Sequence, residues 1–359
     1  MRGPHCPREQ AAPGVALADW LLKIRVFAYR QARMEARTEK QPPTFDDIVT
    51  AKTFISPYLP KTPLIRIPKL SEALDCDYYV KLENLQPTGA FKIRGGVNLV
   101  GSLKPHEVTL VTASTGNHGQ SIAYAGRLFN KRVIIYAPAE NVNQMKVQAM
   151  RDLGAEVRLH GRDFDEARLE TERVAREEGW RYVHSANEPH LIAGVGTMGL
   201  EIFEDLPEVD VIIAPAGGGS CASGNCIVAK HTNPKVHTIA VQSDAAPAMW
   251  HAWRNRNLDP YPRMQTEHEG LATRTPFELT NRLLWSLLDN FVLVSDEKIN
   301  GAIRLLAHSA KQVVEGAGAA SLAGALIMGK ELRGKVVVGI VTGGNIPPER
   351  FARLYGQEV

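Results

Sequence analysis

From Val108 onward, short apolar runs alternate with stretches in which apolar residues recur at helical spacing. The runs Val108–Ala113, Val133–Ala137, Val157–His160, Tyr182–His184, Val209–Pro215, Val236–Val241 and Val336–Val341 predict strands. Between them the spacing predicts helices over Gln120–Phe129, Val142–Leu153, Phe164–Glu178 and Ser223–His231, and another ending at Ile202–Leu206. Gly154 supplies a stop signal after the second of these. Apolar strands separated by helices imply an α/β fold, with mostly parallel sheets covered by helices on both faces. Ligands in such sheets gather at the carboxyl ends of strands. The first 43 residues carry no strand pattern. Ala16–Arg37 reads there as one amphipathic basic helix in a loose extension, and Met34 offers a second start.

Charge narrows the range of partners. The 359 residues hold 42 Lys plus Arg against 39 Asp plus Glu, a formal +3. Residues 1–40 contain eight basic and four acidic side chains, so they contribute +4 and the rest sums to −1. A nearly neutral body argues against a nucleic-acid-binding face, which needs clustered Lys and Arg. No uncharged apolar run approaches the roughly 18 residues of a membrane span. Val15–Tyr29 comes nearest at the N-terminus and is broken by Asp19, Lys23 and Arg25. Cys6, Cys76, Cys221 and Cys226 make neither a disulfide framework nor a zinc pattern, so a reducing cytoplasm is the expectation.

Four segments concentrate unusual chemistry. In KLENLQPTGAFKIRGG, Lys81–Gly96, the lysine at 92 lies between Phe91 and Ile93 and is flanked by Gly89, Gly95 and Gly96. A lone lysine is ordinarily solvated, but apolar neighbours would desolvate this one, lowering its pKa and making it a usable nucleophile. STGNHGQ, Ser114–Gln120, joins a strand to a helix. Free N–H groups there, with the hydroxyls of Ser114 and Thr115, suit a carboxylate. Asn117 can present its amide to a ring hydroxyl. The alternative is a plain helix cap, with His118 structural. GGGS, Gly217–Ser220, follows a strand and opens a helix, which suits a phosphate or simply a tight turn. Gly217, Gly219 and Ala222 also fit a loose dinucleotide spacing, with Asp244 past the next strand as a ribose ligand. TGGN, Thr342–Asn345, places a hydroxyl at a strand end.

The order GAFKIRG, STGNHGQ, GGGS, TGGN resembles the fold-type II pyridoxal-phosphate enzymes (tryptophan synthase β-like, with two open twisted sheets). Within them it resembles the serine/threonine dehydratase, or threonine ammonia-lyase, group, which includes serine racemase. The resemblance spans about residues 44–350. It implies that Lys92 holds pyridoxal 5′-phosphate covalently and serves as the catalytic base. Asn117 would bond the 3′-oxygen of the ring, and Gly217, Gly218, Gly219 and Ser220 would cradle the phosphate. Thr342 would face the ring nitrogen. Ser114, Thr115, Gly116, Asn117 and His118 would receive the substrate carboxylate. It further implies a large domain, 44–108 and 188–359, around a small one, 109–187, and a homodimer.

Four features depart from the group or limit it. Ala90 replaces the serine common before Phe-Lys. Thr115 stands where serine racemases carry a serine acting as second-face base. QSDAAPAM, after Val241, lacks the carboxylate pair of the metal-dependent members, so no metal is expected. With fourteen residues after Asn345, the regulatory domain of biosynthetic threonine dehydratases is not expected.

The expected activity is conversion of a serine- or threonine-type 3-hydroxy amino acid to a 2-oxo acid and ammonium. Alternatives are a racemase, a dinucleotide-dependent oxidoreductase, a binding protein without turnover, or a dehydratase preferring a bulkier substrate such as phenylserine. The last would require some of Met249, Trp250, Trp253, Phe277 and Leu279 to line the pocket rather than the core. The amino-acid substrate is the expected small-molecule partner, without nucleic acid or membrane.

Overall fold

The computed structural model describes residues 41–140 and 143–356. Ala16–Arg37, Val15–Tyr29, Met34, Cys6 and Val142 lie outside the described residues. Among the described residues, ten strands form two sheets. The larger runs in the order β1 (Leu64–Arg66), β2 (Asp77–Leu82), β10 (Val336–Val341), β7 (Val211–Pro215), β8 (His237–Ser243), β9 (Asn290–Val294). The smaller runs β5 (Glu156–Leu159), β4 (Arg132–Ala137), β3 (Thr109–Ala113), β6 (Arg181–Tyr182). Every pairing is parallel except β1 with β2.

The period-two alternation of the central strands sends neighbouring side chains to opposite faces. Val211 and Ile213 of β7, with Val337 and Val341 of β10, pack with the helices Asp296–Ala310 and Gly316–Met328. Ile212, Ala214, Val338 and Ile340 face the other way, towards the helices Pro189–Asp205 and Ser220–Thr232. Burying one such aliphatic side chain contributes about 1.5–3 kcal/mol, so both faces must be covered. The helix Gly316–Met328 is built mostly of Gly and Ala, and this allows close approach: a Cβ on Gly324 would lie 2.5 Å from Val241 Cγ2.

The predicted strands from Val108 onward form with shifts of at most two residues at their ends, except that Tyr182–His184 shares only Tyr182 with β6, Arg181–Tyr182. Three further strands escaped the pattern. In β2, DYYVKL, the apolar run is interrupted by Lys81, which is nevertheless fully buried. β1 has only three residues on a sheet edge, and β9, NFVLV, was not singled out.

Three strand ends place the chemistry. STGNHGQ follows β3, GGGS follows β7 and TGGN follows β10. The lysine-bearing segment is tied to the last: Phe91 N–H donates to Thr342 O and Gly344 N–H to Gly89 O, both at 2.9 Å. Among the described residues no helix is long and apolar enough to cross a membrane.

Candidate active site

Lys92 is the first residue of the helix Lys92–Gly101. Its Nζ donates to Ser220 Oγ at 3.2 Å and to Ser185 O at 3.3 Å, beside the glycine loop. Burial pulls the amine pKa down to about 8, with little opposing charge nearby. The loop is tightly covered from above. Gly219 has φ +83°, in the left-handed region, and a Cβ on Gly217 would lie 2.1 Å from Gly270 O. Thr280 Oγ1 donates to Gly218 O at 2.9 Å. Ser220 then opens its helix with a glycine at the N-cap, so its first N–H groups have no side-chain acceptor.

The segment after β3 folds back on itself. Ser114 Oγ accepts from Gly116 N–H at 3.0 Å and Gly119 N–H at 2.8 Å, so its hydroxyl serves as the cap. The helix Asn117–Leu128 begins there, and the N–H groups of its first residues have no intrahelical acceptor. Asn117 Nδ2 donates to Glu315 Oε1 at 2.5 Å, and Asn345 Nδ2 donates to Asn117 Oδ1 at 2.8 Å. Both amide ends of Asn117 are thereby oriented. His118 is buried, with Nε2 2.9 Å from Thr112 Oγ1. Because that hydroxyl donates to Val183 O, it accepts from His118. Burial, Lys92 and His184 hold the imidazole well below its usual range, so it is neutral.

Thr342 Oγ1 is buried at the end of β10 and has no hydrogen-bond partner. A buried hydroxyl left unpaired costs about 1–3 kcal/mol, which marks the position as one awaiting an acceptor.

These residues line one cleft of about 340 Å³ that includes Lys92, the Ser114–His118 loop, Gly217–Ser220 and Thr342. Sequence reasoning missed several of its walls. Lys146 Nζ donates to Glu269 Oε2 at 2.8 Å and lies 3.8 Å from Glu315 Oε2. Burial opposes the lysine's charge, and Glu315 and Glu269 outweigh it, so its pKa is raised. Ser185, Phe164, Met264 and Arg274 also face the cleft. None has a local motif, because each arrives from a different segment.

Of the aromatic and apolar residues considered for an enlarged pocket, Phe277 alone lines the cleft. It stacks edge-on against His184 at 5.1 Å. Met249, Trp250 and Trp253 pack with the core, and the two indoles donate to Phe291 O and Leu284 O. Leu279 packs in a separate cluster. Asp244 is exposed and outside the cleft, away from the Gly217 loop it would have to assist in binding a dinucleotide. Glu267, His268 and Asp296 bring three ligand-type atoms within 4.8 Å of one another, a group the sequence reading did not identify. Asp296 there already accepts from Ser243 and Thr266 hydroxyls and Glu267 N–H, and Arg350 Nη2 lies 3.2 Å from His268 Nδ1.

Residues 55–343 match the family model described as pyridoxal-phosphate-dependent enzyme. The chain belongs to that family. It is 38% identical over 317 residues to the L-threonine ammonia-lyase of Thermotoga maritima, covering 87% of this chain and 78% of the relative. Among solved structures, the processed form of threonine deaminase isoform 2 from Solanum lycopersicum superposes with a TM-score of 0.81 at 28% identity. That match covers 88% of this chain and 90% of the other. Maize serine racemase gives 0.82 at 29% identity, covering 87% and 97%. The family's cofactor, pyridoxal phosphate, replaces the dinucleotide considered from the Gly217 spacing. The residues present fit it: a buried lysine whose pKa is lowered to about 8, a glycine loop at a helix start, and an unpartnered buried hydroxyl at Thr342.

Proposed function

We propose that the protein removes water and then ammonia from a serine- or threonine-type 3-hydroxy amino acid, giving a 2-oxo acid and ammonium. The observation that carries this reading is the Lys92 amine, held at Ser220 Oγ and Ser185 O with its pKa near 8. Lys92 would hold the cofactor covalently. Gly217, Gly218, Gly219 and Ser220 would bind its phosphate at the helix N-terminus. Asn117, oriented by Glu315 and Asn345, would donate to the ring oxygen. Thr342 Oγ1 would donate to the ring nitrogen, and a neutral hydroxyl leaves that nitrogen unprotonated, which favours elimination over transamination.

When bound, pyridoxal phosphate withdraws electrons from the substrate Cα and acidifies its proton. Once displaced by the substrate amine, Lys92 Nζ takes that proton from Cα and can return one to the departing hydroxyl. The N–H groups at the start of Asn117–Leu128, within the Ser114–His118 loop, receive the carboxylate. The unsaturated amine set free hydrolyses in water to the 2-oxo acid and ammonium.

Support for the substrate class comes from relatives named for threonine. A racemase is the second reading, supported by the racemases among similar folds. Thr115 lines the cleft and by the resemblance stands where racemases carry a serine base, but an alkyl hydroxyl is a poor base. The sheet β3–β6, within 109–187, would form the small domain, and the assembly would be a cytoplasmic homodimer.

The test is to incubate the holoenzyme with serine, threonine and phenylserine, following 2-oxo acid and both enantiomers by chiral chromatography. Threonine and serine should give 2-oxo acid far faster than D-isomer. D-serine accumulating as fast as pyruvate would overturn the dehydratase reading. A phenylserine specificity constant well above that of threonine would overturn the substrate assignment and point to the Phe277 wall.

A further inference from the structure

Beneath Lys92 lies a buried group of four charges that the chemistry above leaves unused. Arg94 is 1% exposed. Its Nε and Nη2 donate to Glu83 Oε2 and Oε1 at 2.7 and 2.8 Å. Its Nη1 and Nη2 donate to Glu201 Oε1 and Oε2 at 2.7 and 2.8 Å, and Nη1 also reaches Thr197 Oγ1 at 3.1 Å. Lys81 Nζ donates to Glu201 Oε2 at 2.6 Å and to Thr62 O at 2.7 Å. The Thr62 hydroxyl donates to Glu83 Oε1 at 2.6 Å. Two cations and two anions thus sum to zero, and the group joins the loop before β1, β2 and the turn after it, and the helices Lys92–Gly101 and Pro189–Asp205.

Fold stability alone is a weak reason for such a group. Buried ion pairs are often matched or bettered by apolar residues of the same volume. Its location is more telling. Arg94 lies two residues after Lys92, about 200° around the first helical turn, so the two side chains leave that turn in nearly opposite directions. The turn has no side-chain cap, since Phe91 at the N-cap offers none. Besides the backbone bond from Phe91 N–H to Thr342 O, Arg94 grips it on one side and, on the other, Ser121 Oγ donates to Lys92 O at 2.6 Å. Gly96 lets Ser121 come that close: a Cβ there would lie 2.1 Å from the serine oxygen.

We propose that Arg94, gripping Glu83 and Glu201 by two forks, is the positioning residue that fixes Lys92 Nζ beside Ser220, and that the balanced quartet does so without placing net charge near the amine. The inference rests on the reading of Lys92 as the cofactor-binding lysine. Lysine cannot replace arginine here, because one ammonium cannot present paired donors in a plane to two carboxylates.

The experiment uses the full chain stripped of cofactor, two variants, and the rate at which added pyridoxal phosphate becomes trappable by borohydride, followed across pH. Arg94→Lys keeps the charge and loses the forks. The double variant Arg94→Met with Glu83→Gln loses the forks but keeps zero net charge, leaving Lys81 and Glu201 paired. Both should capture the cofactor at least tenfold more slowly than the parent above pH 9, with the double variant melting within a few degrees of it. Capture at the parental rate and pH midpoint by either folded variant overturns the proposal. So does failure of both to fold, since the quartet would then serve the fold alone. Peptide mapping of the parent separates the two readings: label on a lysine other than Lys92 rejects the assignment of Lys92 itself.

Discussion

At Lys92 one residue carries both a structural and a chemical consequence. Burial lowers its pKa to about 8, so the reactive free amine is the minority form below that pH and the dominant form above it. Capture of pyridoxal phosphate by the cofactor-free protein should therefore rise about tenfold per pH unit up to 8 and flatten beyond it. A rise continuing to pH 10, as for a solvated lysine, would contradict the burial argument; stopped-flow absorbance across pH decides. Thr342 makes the complementary case. Its Oγ1 is buried and unpaired, so Thr342→Val should stabilise the cofactor-free protein by about 1 kcal/mol. The same change should weaken turnover, because in the proposed arrangement the ring nitrogen would lose its donor. Urea unfolding of the cofactor-free variant checks the first effect and steady-state kinetics the second. A loss of stability would mean that the hydroxyl has a partner in the folded chain.

At the scale of elements, the site is a set of strand ends capped by helix starts. The loop after β7 depends on its glycines because the segment from Gly270 to Thr280 lies directly against it. Gly219→Ala would force a side chain into the left-handed region, at a cost of about 1–2 kcal/mol, with its Cβ 2.9 Å from Met249 Cε. The expected outcome is weaker binding of pyridoxal phosphate with binding of pyridoxal, which lacks the phosphate, little changed. Fluorescence titration with both compounds measures this, and an equal loss for the two would disconnect the loop from the phosphate. This segment and Glu269 just before it reach the helices that follow β4 and β5, through Lys146–Glu269 and through Arg274 Nη2, 2.9 Å from Asp163 Oδ2. These pairs join elements that no sequence period connects.

For the whole molecule, residues from Pro42 onward form one compact unit, and the family match lies within it, from 55 to 343. Removing residues 1–43 should leave kcat/KM within twofold of the full chain and leave the melting temperature unchanged within a few degrees. That segment holds the whole positive excess and none of the strand patterning of the body. Calorimetry and activity on the truncated protein test this; insolubility or a changed oligomeric state would assign the segment a place on the body.

The strand runs after Val108 and the four glycine-bearing segments were legible because each depends on local chemistry: period-two burial, helix starts, and backbone approach that tolerates no side chain. Lys92, Asn117, Gly217 and Thr342 could be read as candidates for that reason. β2 was not legible, because its buried Lys81 looks like a surface residue until Glu201 is seen beside it. The same holds for Glu315, which orients Asn117 from 198 positions away, and for Lys146 and Ser185 in the cleft. Trp250 and Trp253 could have faced either ligand or core at the same helical spacing, and packing against Leu284 and Phe291 assigned them to the core. The sequence by itself determined most of the strand–helix alternation after Val108 and which residues are candidates to bind an anion or form a Schiff base. Tertiary structure decided which distant charges neutralise one another and which hydroxyl is left unpaired, because desolvation and pairing depend on neighbours in space rather than along the chain.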